Sequence, residues 1–377
     1  MAQKVLIVYG SGGMGHVTAA KAIEEVFKTK YPHLILANVD IFSFAWGWFH
    51  HAVVDGYNYI SAQWPQFWGF LYRIFNKSSR HGPLNFLGRL GIMRRFIDYI
   101  QEFQPDFIVT THPLPARLIA ASKKQRLIDI PSSLVVTDFG CHSFWVDPNI
   151  NYYFTATPGV KMCLQNYQVP AEKIIVTGIP IEAKFSQPVK RDVIRQKLGL
   201  TDEALTVFIV GGQFSFEQLK TIIEGVQAKN FQVQFLVVAG RDKFLQEALD
   251  KYNLAKTSRV KVYGFVDNMH EMMSAADIIF SKAGGLTVSE CMAKGLPMVI
   301  YKVIPGQEED NVDFLVAQGA AVKADGISGI IEALVKLLAD PKRLAAMKEA
   351  CRRIGQPQAA ENIADFVYQK LTGQKNG

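Results

Sequence analysis

The sequence is poor in the features that announce a secreted, metal-binding or membrane-spanning protein. Its four cysteines, Cys141, Cys163, Cys291 and Cys351, are scattered and form no CxxC pair. That spacing fits reduced cytoplasmic thiols and speaks against a disulfide framework or a zinc site. No stretch approaches the ~20 consecutive apolar residues that cross a bilayer as a helix. The opening run MAQKVLIVYG is too short for a signal peptide and reads as a first buried strand. Low-complexity tracts and internal repeats are absent. With 49% hydrophobic and 20% charged residues, the composition is that of a folded globular chain. A length of 377 residues predicts two domains rather than one core.

One stretch also lacks acid. Between Gly56 and Ile97 there is no Asp or Glu, while Arg73, Lys77, Arg80, Arg89, Arg94 and Arg95 supply six positive charges of a chain whose net charge is +7. Four of the five tryptophans, Trp46, Trp48, Trp64 and Trp68, cluster around its start among Phe42, Phe44, Phe49, Phe67, Phe70 and Phe75. A basic block attracts an anionic surface, nucleic acid or lipid. Tryptophan interleaved with Lys/Arg is the chemistry of a bilayer interface, so an anionic membrane is the expected partner and nucleic acid is not.

What is present is an alternation of strands and helices. In the first half, KVLIVY, LILANVDIF, FIVTTHP, SLVVTDF, YYFTAT and KIIVTGIP are short β-branched runs ending in polar turns. The second half repeats the pattern with TVFIVGG, QFLVVAG, VKVYGF, DIIFSKAGG and PMVIYKVIPG. The fold class is therefore α/β, with two doubly wound parallel sheets facing each other across a cleft. The expected divisions are an acceptor- and membrane-binding domain over 1–183, a polar linker over 184–201 and a donor-binding domain over 202–355. A last helix in 356–377 is expected to pack back on the first domain.

Ligands of open α/β sheets bind beyond the carboxyl ends of the strands, and unusual residues gather there. GSGGMGH follows the first strand and opens a helix, so the backbone N–H groups of Gly12 and Gly13 can point at an anion. Gly10, Gly12 and Gly15 also match GxGxxG, with Asp40 ending the second strand, 25 residues past Gly15. An NAD-dependent oxidoreductase is thus the alternative reading. His16 separates the two, because an imidazole at this helix start can take a proton from an attacking hydroxyl, with a pKa near working pH. In SKAGGLTVSE, Gly284 and Gly285 let the backbone approach a ligand. A diphosphate fits over the helix start at Leu286 and Thr287, beside Lys282. Glu290, one turn further, can accept hydrogen bonds from ribose hydroxyls. PGQEEDN places Gln307, Glu308, Asp310 and Asn311 where amides and acids can bind the hydroxyls of a pyranose.

The combination GSGGMGHVTAA, TTHP, VVTDFGCHSFW, VTGIPI, SKAGGLTVSE and IPGQEEDN, in this order over nearly the whole chain, resembles one family. It is that of bacterial diacylglycerol glucosyltransferases and plant monogalactosyldiacylglycerol synthases, related to the lipid-II-forming enzyme of peptidoglycan synthesis. The resemblance implies a GT-B fold, a UDP-sugar donor, a diacylglycerol-type acceptor, inversion at the anomeric carbon, and neither cofactor nor obligatory metal. It makes His16 the general base and Glu290 the ribose ligand. Gly284, Gly285, Leu286 and Thr287 then hold the diphosphate, and Gln307 and Glu308 the sugar. Phe265 and Val266 meet uracil, bordered by Gly212 and Gln213. Asp138, which orients a base, lies with His112, His142 and Trp145 on the acceptor side. The implied enzyme works on the inner face of the cell membrane and makes β-glycolipids from a hexose donor, glucose first. A peptidoglycan precursor remains an alternative acceptor, and a sensor without turnover is a third reading.

Overall fold

The computed structural model describes residues 2–373 apart from 46–91, Gln213, 257–258, Lys302, Ile304, Pro305 and Gln307. Trp46, Trp48, Trp64, Trp68, Arg73, Lys77, Arg80 and Arg89 therefore lie outside the described residues, as do Gln213 and Gln307. The first half runs β1 (Lys4–Tyr9), α1 (Met14–Lys30), β2 (Ile35–Asp40), α2 (Ile92–Phe103), β3 (Phe107–Thr110), α3 (Pro113–Lys124), β4 (Ser132–Val135), β5 (Tyr152–Thr155), α4 (Pro158–Asn166) and β6 (Ile174–Val176). Two short helices, α5 (Ala183–Ser186) and α6 (Arg191–Lys197), occupy most of the segment expected as a linker. The second half continues with β7 (Leu205–Val210), α7 (Phe216–Gln227), β8 (Val233–Val238), α8 (Lys243–Lys256), β9 (Val260–Tyr263), α9 (Met269–Ala275) and β10 (Ile278–Ser281). Then come α10 (Gly285–Lys294), β11 (Met298–Ile300), α11 (Glu309–Ala317), β12 (Ala321–Lys323), α12 (Gly326–Ala339), α13 (Pro341–Ile354) and α14 (Ala359–Thr372).

Each half is one six-stranded parallel sheet, in the orders β2-β1-β3-β4-β5-β6 and β12-β11-β10-β7-β8-β9. The strands read as continuous Val/Ile/Phe runs because helices cover both of their faces, as a buried parallel sheet requires. The turn-ended runs of the sequence coincide with β1 to β11. The three-residue β12 escaped that pattern because AVK is too short to show a period. Helix α1 buries Ala19, Ala20, Ile23, Val26 and Phe27 along one stripe, and Pro32 follows its end. Arg94 and Arg95 are exposed on α2, whose other face buries Ile92, Phe96 and Ile100.

In the first sheet the order reverses between β1 and β3, and in the second between β7 and β10. Such switch points open the crevices in which α/β proteins bind ligands. The polypeptide passes between the halves twice. After β6 it runs through Gly178, at φ +90, where a side chain would overlap Gln356. It returns after α13 and enters α14, whose Ala360, Ile363, Ala364 and Val367 share a core with Val5, Ile7, Phe107 and Phe154 of the first sheet. Ser186 Oγ donates to the Pro357 carbonyl at 2.7 Å, tying the two passages together.

One expectation from the cysteine spacing fails. Cys141 and Cys163 form a disulfide with a Cα–Cα distance of 6.2 Å, across 22 residues of sequence. Neighbouring β4 and β5 bring the loop after one strand beside the helix after the other, which no linear spacing reveals. Cys291 and Cys351 are free and buried.

Candidate active site

Both switch points lead to one seam. At the carboxyl end of β1 the chain enters α1 through Gly13, with no side chain capping the helix start and no acid in its first turn. In the other half α10 starts the same way after Gly284. A Cβ on Gly15 would stand 3.9 Å from that of Leu286, so the two helix starts lie side by side. Uncapped first-turn N–H groups and two positive dipole ends make this the natural place for an anion.

His16 stands at this seam. Its Nδ1 lies 2.6 Å from the Thr111 carbonyl and 3.1 Å from Thr137 Oγ1. A carbonyl only accepts, so Nδ1 carries the proton and Nε2 keeps its lone pair. The Thr111 hydroxyl donates back to the His16 carbonyl at 2.9 Å, locking β3 to α1. Burial lowers the pKa of His16 to about 4, only partly offset by the bond to Thr111. That corrects the expectation of a value near working pH. The ring is neutral at pH 7 and ready to accept a proton. Neither Thr111 nor Thr137 had been singled out as its partner, although both stand in quoted motifs.

The loop after β4 meets α10 without clearance. A Cβ on Gly285 would overlap the Thr137 carbonyl and stand 3.3 Å from Asp138 Oδ1. Asn311, fully buried, joins this loop to the second half: Oδ1 accepts from Phe139 N at 2.7 Å, and Nδ2 donates to the Ala283 carbonyl at 2.8 Å and to Asp138 Oδ1 at 3.4 Å. Phe139 and Phe314 stack at 4.8 Å beside it. The amide of Asn311 is thus committed to holding the halves together, which corrects its assignment to the sugar. Asp310 lies over Gly140, where a side chain would collide with it. Burial raises the Asp138 carboxyl to about 7, against the bond from Asn311 and with the help of Glu308 and Asp310. The partners that orient His16 are the two threonines, not Asp138, as had been expected of it.

His112 also stands in this crevice, edge-on to His16 with ring centroids 4.6 Å apart. Its Nδ1 accepts from Leu114 N at 3.1 Å and caps α3, and burial with His16 nearby lowers its pKa well below the ordinary value. Gly10 is glycine because a Cβ would stand 2.9 Å from the His112 ring. His142 and Trp145 are buried, and His142 caps its own turn by accepting from Phe144 N at 3.0 Å. Both pack the first half and present little surface to an acceptor, contrary to expectation. Asp40 accepts from Ser11 N at 3.2 Å and from Phe42 N at 3.0 Å. An oxidoreductase would need that carboxylate for a ribose, so its engagement here weakens that alternative.

On the other side of the seam, Glu290 is buried in α10. Burial and the nearby Glu182 push its pKa up to about 8 against the pull of Lys184, so a neutral carboxyl replaces the expected carboxylate. Phe265 is 70% exposed just beyond β9, and the Arg241 guanidinium lies 5.3 Å above its ring, a partner the sequence did not signal. Val266, Lys282, Leu286 and Thr287 are half-buried around the same crevice, and Gly212 lies beyond β7 at the switch point. Glu308 is buried near Gly284. Among the described residues no group of three His, Cys, Asp or Glu side chains converges as a metal site would require. No described helix is long and apolar enough to cross a membrane.

Comparison with known proteins divides the chain at the same place. Residues 16–181 match the monogalactosyldiacylglycerol (MGDG) synthase family, and residues 206–364 match the glycosyltransferase family 28 C-terminal domain. The processive diacylglycerol beta-glucosyltransferase of Bacillus thuringiensis (strain Al Hakam) is 31% identical, over 97% of this chain and 94% of its own. That of Bacillus cereus (strain AH187) is 32% identical, over 97% and 93%. Among solved structures, Acinetobacter baumannii MurG superposes with a TM-score of 0.63 at 17% identity, covering 97% of this chain and 99% of its own. The UDP-GlcNAc 2-epimerase from Neisseria meningitidis gives 0.63 at 16% identity, with coverages of 97% and 100%.

Proposed function

The chain belongs to the family of diacylglycerol glucosyltransferases and monogalactosyldiacylglycerol synthases, glycosyltransferases of the two-sheet GT-B type, and from that membership we propose the following reaction. A hexose, glucose first, moves from a UDP-sugar to diacylglycerol or glycosyl-diacylglycerol with inversion. The first half, residues 1–183, receives the acceptor and meets the inner face of the membrane through its aromatic-basic stretch and the exposed Arg94 and Arg95. After the 184–201 segment, residues 202–355 hold the donor, and the closing helix belongs to the first half.

The observation that carries the reading is the neutral imidazole of His16, its Nε2 lone pair freed by the Nδ1 bond to Thr111, set between two uncapped helix starts. The acceptor hydroxyl attacks the anomeric carbon from the face opposite UDP, and its proton passes to His16 Nε2. The bond from the anomeric carbon to the diphosphate oxygen breaks, and UDP leaves with the electron pair. The N–H groups of Leu286 and Thr287, at the start of α10, and the dipole of that helix stabilise the charge that grows on the diphosphate. Gly12 and Gly13 supply the same from α1. An imidazole with a pKa of about 4 is a weak base in the empty site. The departing diphosphate is the opposite charge that makes the nascent imidazolium tolerable.

Glu290 holds the ribose as a neutral carboxyl that can both donate and accept. Phe265 and Val266 take the uracil beside Gly212 and Gln213, and Gln307, Glu308 and Lys282 face the sugar and phosphates. Incubation of the protein with UDP-glucose and diacylglycerol vesicles is the test. UDP release that depends on the acceptor, with a β-glucosyl lipid as product, supports the reading. NADH binding without UDP release, or transfer to a peptidoglycan precursor alone, would overturn it.

A further inference from the structure

Outside the seam, a second concave surface lies at the opposite end of α11. That helix starts beside Glu308 and Asn311 and ends at a cavity of about 640 Å³, lined by residues of α11, β12 and α13. Nine residues at 1.5 Å each put it roughly 13 Å from the helix start, so it is separate from the donor crevice. Its lining joins the apolar Val316, Ala346 and Met347, the last of them buried, to the cations Lys323, Arg343 and Arg353. No Asp or Glu lines it. Among the described residues neither the Lys323 nor the Arg343 side chain forms an ion pair, whereas Arg353 donates to the Gln318 carbonyl at 3.2 Å.

Compensation of the carbonyl end of α11 accounts for one cation, Arg353. It leaves two more facing a concave, acid-free surface of the same sign. Guanidinium groups match phosphate oxygens in a forked geometry, and the apolar residues of the lining suit a hydrocarbon body beside the charged head. We infer that this cavity binds an amphiphilic phosphate monoester, the phosphate on Lys323, Arg343 and Arg353 and the apolar part against Val316, Ala346 and Met347.

The cations are exposed, so neutral replacements leave the fold intact. Wild-type protein and the Lys323→Gln/Arg343→Gln/Arg353→Gln variant are titrated by calorimetry with hexyl phosphate, inorganic phosphate and hexan-1-ol, with saturating UDP present to occupy the donor crevice. Each exposed charge pair contributes a factor of a few, so three predict affinity for hexyl phosphate on the order of tenfold weaker in the variant. Rising salt should weaken wild-type binding, and inorganic phosphate and hexan-1-ol should each bind less tightly than hexyl phosphate. Vesicles with and without a phosphomonoester lipid distinguish the sources: vesicle binding that the variant loses identifies a lipid headgroup, and loss confined to hexyl phosphate identifies a soluble ligand. Equal affinity of wild type and variant for hexyl phosphate, or no binding to either, overturns the inference.

Discussion

The charge state of His16 has consequences for both stability and rate. Burial takes its pKa from the ordinary 6.5 to about 4, equivalent to about 3 kcal/mol against the imidazolium. Above pH 6.5 folded and unfolded chains are both neutral here and nothing is lost. As pH falls from 6.5 towards 4 the unfolded chain takes up the proton first, and stability drops progressively, by about 3 kcal/mol once both states are charged. His16→Gln removes this titration. Urea unfolding at intervals between pH 7 and pH 4 should therefore show wild type losing about 3 kcal/mol more than the variant. His112 is depressed first by its own burial, which both proteins keep, and secondly by His16, a part that the variant loses. The kinetic arm of the experiment follows transfer over the same range. His16→Ala lowers turnover by ~10²–10⁴-fold while leaving UDP binding in place. Parallel stability curves for wild type and His16→Gln, or a rate limb near pH 6.5 abolished by His16→Gln, would refute the reasoning.

Other substitutions test the seam. Gly285→Ala drives a methyl into the Thr137 carbonyl; strain of about 1–3 kcal/mol predicts UDP affinity weakened by roughly 10–100-fold, read by calorimetry. Asn311→Leu strands the Phe139 N–H and the Ala283 carbonyl, which at about 1–3 kcal/mol each amounts to roughly 2–6 kcal/mol in urea unfolding. A loss below about 1 kcal/mol there would show the groups finding other partners. Closing 22 residues with Cys141–Cys163 stabilises by about 3 kcal/mol through chain entropy. Reductant should lower the unfolding midpoint of wild type and leave that of Cys163→Ser unchanged.

The sheets were legible because parallel strands buried on both faces must be apolar runs, and turns must interrupt them. The helix starts were legible for a similar reason, since glycine-rich turns such as GSGGMGH and SKAGG mark where backbone and ligand approach. Charge was not. His16 could be located, but its neutrality depends on burial and its tautomer on Thr111 and Thr137, which arrive from two other loops. The same holds for Glu290, neutral because α10 is buried and Glu182 lies near. Asn311 looked like a sugar ligand because an isolated polar motif cannot reveal that its hydrogen bonds are already committed across the seam. Cys141 and Cys163 looked unrelated because their pairing follows from the adjacency of β4 and β5, a property of the sheet.

The two passages of the chain between the halves constrain how the cleft can move. A single passage would let one half swivel freely about a backbone bond. Two, tied by Ser186 and Pro357 and pressed together at Gly178 and Gln356, behave like paired straps of a door. They oppose twisting of one half against the other. Any change in the angle between the halves must therefore bend both straps together and break the Asn311 bonds across the seam.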